Sequence, residues 1–65
     1  MKAKEYRAAL AALRLSQGAA AKFLGVDPRT SRRWALGEVP VPRPVALLLR
    51  VMVRHKLSPN DVLGA

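Results

Sequence analysis

The sequence predicts an all-α domain, and three observations carry that reading. Apolar residues recur at helical spacing, cap-and-proline signals mark helix starts, and the only β-branched cluster, Val39 to Val41, is interrupted by proline. Proline cannot donate to a β ladder and pushes the preceding residue out of the α region, so Val39-Pro40-Val41-Pro42 reads as an extended connector. With 65 residues and no cysteine, the chain is one small domain lacking disulfides and thiolate metal sites. Its core must therefore be compact or shared with a second subunit.

Five helices are expected in order. In the first fourteen residues Tyr6, Ala9, Leu10 and Leu13 form an apolar stripe, with Lys4, Arg7 and Arg14 away from it. Ser16 offers an N-cap for a second helix, Gln17 to Leu24, closed by Gly25, which suits a positive φ. Asp27 before Pro28 is a further start signal, since a proline at the first helical position forfeits no hydrogen bond. The third helix runs from there to about Leu36 and stops at Gly37. After the proline connector a fourth helix spans about Pro44 to Lys56, and Ser58-Pro59 opens a short final turn to Leu63.

Twelve Lys and Arg against four Asp and Glu give a net charge of +8, while 51% of the residues are apolar. A disordered basic tail is not this hydrophobic, so the balance points to a folded domain that meets a polyanion. Eight of the twelve cations are arginine, whose planar fork bonds bidentately to phosphate and to guanine edges. No run reaches the roughly 20 apolar residues of a membrane span, and the N-terminus lacks the pattern of a signal peptide. A cytoplasmic location is expected.

The second helix, the Gly25-Val26-Asp27 turn and the third helix have the size and punctuation of a helix-turn-helix, whose second helix enters the DNA major groove. At about 100° per residue, Arg29, Arg32, Arg33 and Leu36 share an arc of about 100°, with Thr30, Ser31, Trp34 and Ala35 opposite. One face is cationic and the other is built for packing. Three arginines on a helix are also compatible with a merely solvated face, but here they lie on the second helix of a punctuated pair in a strongly basic chain.

These residues carry a resemblance. Leu15-Ser16-Gln17, Ala21, Leu24-Gly25-Val26, Thr30, Arg33-Trp34 and Gly37 resemble the pattern of lambda-repressor-like helix-turn-helix domains of the Cro and Xre type. The resemblance implies a compact five-helix fold over nearly the whole chain, double-stranded DNA as partner, and a bacterial or phage regulator. By position it implies Arg29 and Arg33 as base readers, with Arg32 at a base or the flanking backbone and Leu36 at a thymine methyl. Gln17, Thr30, Arg43, Lys2 and Lys4 are then expected at phosphates, with Lys2, Lys4 and Arg7 alternatively forming a flexible arm. Two departures from the pattern stand out: Ser31 replaces a buried aliphatic residue and Ala20 a leucine, so the core between the second and third helices is expected to have lost volume. Trp34, opposite the arginines, is read as core.

The fourth helix is apolar around about 260° of its circumference. Either the other helices cover it, or part of it forms a two-fold interface with Phe23, Leu47, Val51, Val53, Val62 and Leu63. The family commonly dimerises through its C-terminal helices, so the resemblance favours a homodimer on a palindromic operator. An enzyme is not expected, because there is one histidine, no cysteine, four scattered carboxylates and no glycine-rich phosphate loop. No cofactor, metal or small-molecule effector is expected, and His55 lies where a helix dipole favours a cation. A basic amphipathic membrane binder is disfavoured by the short capped helices and the proline break. An antitoxin-like module gripping a protein through the fourth helix is the remaining alternative, although the neutralising segment such a protein carries is not read here.

Overall fold

The computed structural model describes residues 1–64. Five α-helices follow one another: α1 Ala3–Ala12, α2 Gln17–Leu24, α3 Pro28–Leu36, α4 Arg43–His55 and α5 Pro59–Leu63. No strand occurs among the described residues. The expected helix starts are realised by the expected side chains. Ser16 Oγ accepts the Ala19 N–H at 3.0 Å, and Asp27 Oδ1 accepts the Arg29 N–H at 2.8 Å, with Pro28 in the first turn. At α5, Ser58 Oγ accepts the Asp61 N–H at 3.3 Å while the Asp61 carboxylate accepts the Ser58 N–H at 2.8 Å, a reciprocal capping box. The Ser58 N–H and then the Ser58 hydroxyl, at 2.8 Å and 3.1 Å, donate to the ionised Asp61 carboxylate and hold it below its ordinary value.

Helix ends follow one device four times. At the end of α2 the Gly25 N–H donates to Lys22 O and the Val26 N–H to Ala21 O, and α3 closes identically through Gly37 and Glu38. This is the Schellman arrangement, which places its first residue in the left-handed region, and Gly25 (φ 72°) and Gly37 (φ 77°) occupy it. The other two copies use Arg14 (φ 58°) after α1 and Lys56 (φ 55°) after α4. In both, a leucine follows, Leu15 or Leu57, and its N–H closes onto Leu10 O or Met52 O. Both leucines pack against the core, so apolar contact holds the left-handed residue in place of a glycine.

α1 packs on α3 and α4, and α2 packs on α3. Tyr6, Leu10, Trp34, Leu49 and Met52 are the large buried residues, with Ala20, Ala21 and Ala35 fully buried where helices meet closely. Val41, in the proline connector, is also buried and closes the core from outside the helices. At Ser31, where a smaller core is expected, the side chain is fully buried and the Tyr6 hydroxyl reaches it at 2.7 Å. The flexible-arm alternative is corrected, because Lys4 and Arg7 lie within α1 and Lys2 caps it, its backbone N–H bound to the Glu5 carboxylate at 3.0 Å. That bond is the main reason the Glu5 carboxyl sits below its ordinary value. No helix among the described residues is long and apolar enough to cross a membrane.

Candidate nucleic-acid interface

The turn between α2 and α3 is set by local chemistry. Gly25 supplies the left-handed step, Val26 packs against the core, and Asp27 caps α3. This leaves Ser31, Trp34 and Ala35 on the buried face of α3, Thr30 half-buried at its edge, and Arg29, Arg32, Arg33 and Leu36 exposed. The helix phase read from the sequence is the one observed.

Three contacts from α1 hold the buried face. Ser31 Oγ donates to the Gln17 carbonyl at 3.0 Å, which uses the only proton a serine hydroxyl has. The 2.7 Å contact with Tyr6 therefore has the Tyr6 hydroxyl as donor. A directed chain thus runs from α1 through α3 to the first residue of α2. The Tyr6 ring meets Trp34 edge-on, with centroids 5.7 Å apart and planes at 83°, a favoured aromatic geometry. The Arg7 guanidinium donates to the Ala35 carbonyl in the last turn of α3, where a helix has unpaired acceptors and favours a cation. Burial raises the Tyr6 phenol above its ordinary value.

The exposed face is left open. Arg29, Arg32, Arg33, Leu36 and Glu38 line one shallow concavity of about 270 Å³. Among the described residues none of the three guanidinium groups has a hydrogen-bond or carboxylate partner. All three residues are exposed, and the arrangement is suited to an acceptor-rich anion. Gln17 and Arg7 line a second depression of about 280 Å³ beside Ser16, at the amino end of α2. Lys2 lies beside Trp34, Gly37 and Val41. Lys4 on α1 and Arg43 at the start of α4 are exposed and line neither arginine depression.

Of the residues expected at a two-fold interface, Val53 lies on a different side of α4 from Leu47 and Val51. Leu47 and Val51 are 47% and 49% exposed and lie one turn apart on α4. Val53 is about 120° around the helix from Leu47 and about 160° from Val51, and it lines the grooves between α4 and α1 with Ala8, Ala9 and Ala12. Phe23 is half-buried against the core, while Val62 and Leu63 are exposed on α5.

Sequence reasoning missed the Tyr6–Ser31–Gln17 chain, the Arg7 bond and the place of Glu38 in the arginine concavity. The first had a signal: a serine at a packing position needs a partner, and Tyr6 brings a hydroxyl into the same core. The Arg7 bond had none, because its acceptor is a backbone carbonyl 28 residues away. Compared with protein-family models, with curated proteins and with solved structures, the chain matches none of them.

Proposed function

We propose that the chain is a sequence-specific DNA-binding regulator of the lambda-repressor-like helix-turn-helix type, with α3 as the helix that enters the major groove. The observation that carries this reading is the unpaired arginine face of α3, backed by a buried face that α1 fixes at three points. In this reading Arg29 and Arg33 contact base edges, Arg32 serves a base or the flanking phosphate, and Leu36 meets a thymine methyl. Gln17 and Thr30 contact phosphates near the entry of the helix pair, with Lys2, Lys4 and Arg43 adding general attraction. The protein acts as a homodimer on a palindromic operator in the cytoplasm, the dimer being built on the exposed Leu47 and Val51 strip of α4. Repression follows most simply, because a domain of this size acts by occupying the operator against polymerase.

Selection of bound sequences from a random duplex pool, with the mass of the resulting complex, tests this reading. A palindromic consensus holding two chains is expected. Arg29→Ala or Arg33→Ala should then weaken binding to the selected site by about 1–3 kcal/mol and relax sequence preference. Equal losses on selected and random DNA would reduce those arginines to phosphate contacts. Leu47→Glu with Val51→Glu should give a monomer, and an unchanged dimer mass would place the interface elsewhere.

A further inference from the structure

The composition of the α3 concavity goes further than its charge. We infer that α3 reads a G·C-rich half-site, in which Arg29 and Arg33 take two guanines about two base pairs apart; this rests on the DNA-binding reading above. Guanine alone presents two acceptors, N7 and O6, side by side in the major groove, and a guanidinium fork presents only donors. Adenine sets a donor beside its acceptor, and its matching side chains are Asn and Gln. Neither occurs anywhere in α3, whose sequence is PRTSRRWAL.

Two further residues in the concavity separate base reading from a plain phosphate clamp. Leu36 is 56% exposed and carries no polar group, so it contributes nothing to a phosphate but fits the C5-methyl of a thymine beside the two guanines. Glu38 lines the same concavity; its carboxylate repels phosphate and accepts from the cytosine N4 amino group. A face that sets an apolar group and an acceptor among its arginine donors complements base edges rather than a uniform backbone.

Spacing sets the register. Arg29 and Arg33 are one helical turn apart, about 6 Å along the axis and about 40° around it, against a base-pair rise of about 3.4 Å. With α3 along the groove, their forks meet base pairs about two steps apart. Arg32 lies about 60° to the other side of Arg29 and falls to the sugar-phosphate backbone.

The test replaces each guanine of the selected duplex in turn by 7-deazaguanine, which keeps base pairing and phosphate charge but lacks N7. Affinity is read by fluorescence anisotropy for the wild-type chain, Arg29→Ala and Arg33→Ala. Two guanines per half-site should each weaken wild-type binding roughly 5-fold or more when replaced. Each of those effects should disappear in one of the two arginine variants, as a direct contact requires. Circular dichroism and Trp34 fluorescence establish that the variants fold. An A·T-rich consensus, or full tolerance of 7-deazaguanine by a tightly bound site, overturns the guanine assignment and leaves DNA binding standing. Failure to retain any duplex at low salt overturns the DNA reading, and the guanine assignment falls with it.

Discussion

Ser31→Ala and Tyr6→Phe should damage the fold unequally, and combining them should repair part of the damage. Both side chains are fully buried. Tyr6→Phe removes a donor whose acceptor, Ser31 Oγ, still has its bond to the Gln17 carbonyl. The loss is that of one net hydrogen bond, about 1 kcal/mol. Ser31→Ala instead leaves the Tyr6 hydroxyl buried with its only partner gone. An unsatisfied buried donor costs about 1–3 kcal/mol, so this variant should lose about 2 kcal/mol. Adding Tyr6→Phe to Ser31→Ala takes away the stranded hydroxyl, and the double variant should be as stable as Ser31→Ala alone or more so. The expected coupling is about 1 kcal/mol or more.

Urea unfolding followed through Trp34 reads all three variants, because it is the only tryptophan and is 3% exposed. A domain of this length has a total stability of about 3–10 kcal/mol, and 1 kcal/mol moves Tm by roughly 4–8 °C, so these differences are large enough to measure. If the double variant loses the sum of the single losses, the hydroxyls are not coupled and the directed chain through Ser31 is wrong.

The same phenol predicts an alkaline transition. Below the ordinary tyrosine value of 10.0 the phenol is neutral in both states and the fold keeps its full stability; as pH rises past that value the unfolded chain ionises first. Stability should therefore fall until pH passes the raised folded value, and Tyr6→Phe should flatten that part of the profile; tyrosinate absorbance follows the single tyrosine directly. Lys56→Gly, at φ 55°, relieves a left-handed side chain and should raise stability by about 0.5–1 kcal/mol in urea unfolding. Gly25→Ala, at φ 72°, should lower it by about 1 kcal/mol through backbone strain alone, since nothing lies within 4 Å of the added Cβ. Leu36→Ala should change stability by less than about 0.5 kcal/mol because the side chain is 56% exposed; a clear drop in Tm would show that it is part of the core.

Helix starts were legible because they are written in local residues. Ser16, Asp27 and Ser58 each act within three positions of themselves, and the phase of α3 follows from spacing alone. Ends were half legible. Gly25 and Gly37 announce a left-handed step, whereas Arg14 and Lys56 hide one, recognisable only from the leucine that follows each and folds back on the core. What lay beyond the sequence was pairing across distance. Ser31 and Tyr6 are 25 residues apart, and only the packing of α1 on α3 turns a missing aliphatic side chain into a satisfied polar one. The fourth helix posed the same difficulty in reverse. Its apolar circumference was correctly read as wide, but which part is covered depends on where α1 lies, and this separates Val53 from Leu47 and Val51.

The polar core at Ser31 bears on the proposed reading of bases through orientation. An arginine at the edge of a helix of about 6 Å radius moves about 2 Å when the helix turns 20° on its axis, well beyond the spread of about 0.5 Å over which an N–H···O bond keeps its normal length. Apolar packing tolerates small rotations, because its energy varies slowly with direction. Hydrogen bonds of 2.7 Å and 3.0 Å in series do not, since their strength falls steeply away from the normal distance and angle. Arg7 adds a constraint near the far end of α3, at the Ala35 carbonyl. A buried serine in place of an aliphatic residue therefore exchanges some apolar contact for a fixed rotation of α3. Fixed rotation is what reading particular guanines requires and what a general phosphate clamp does not, so Tyr6→Phe should reduce discrimination between the selected site and random DNA more than it reduces binding to random DNA.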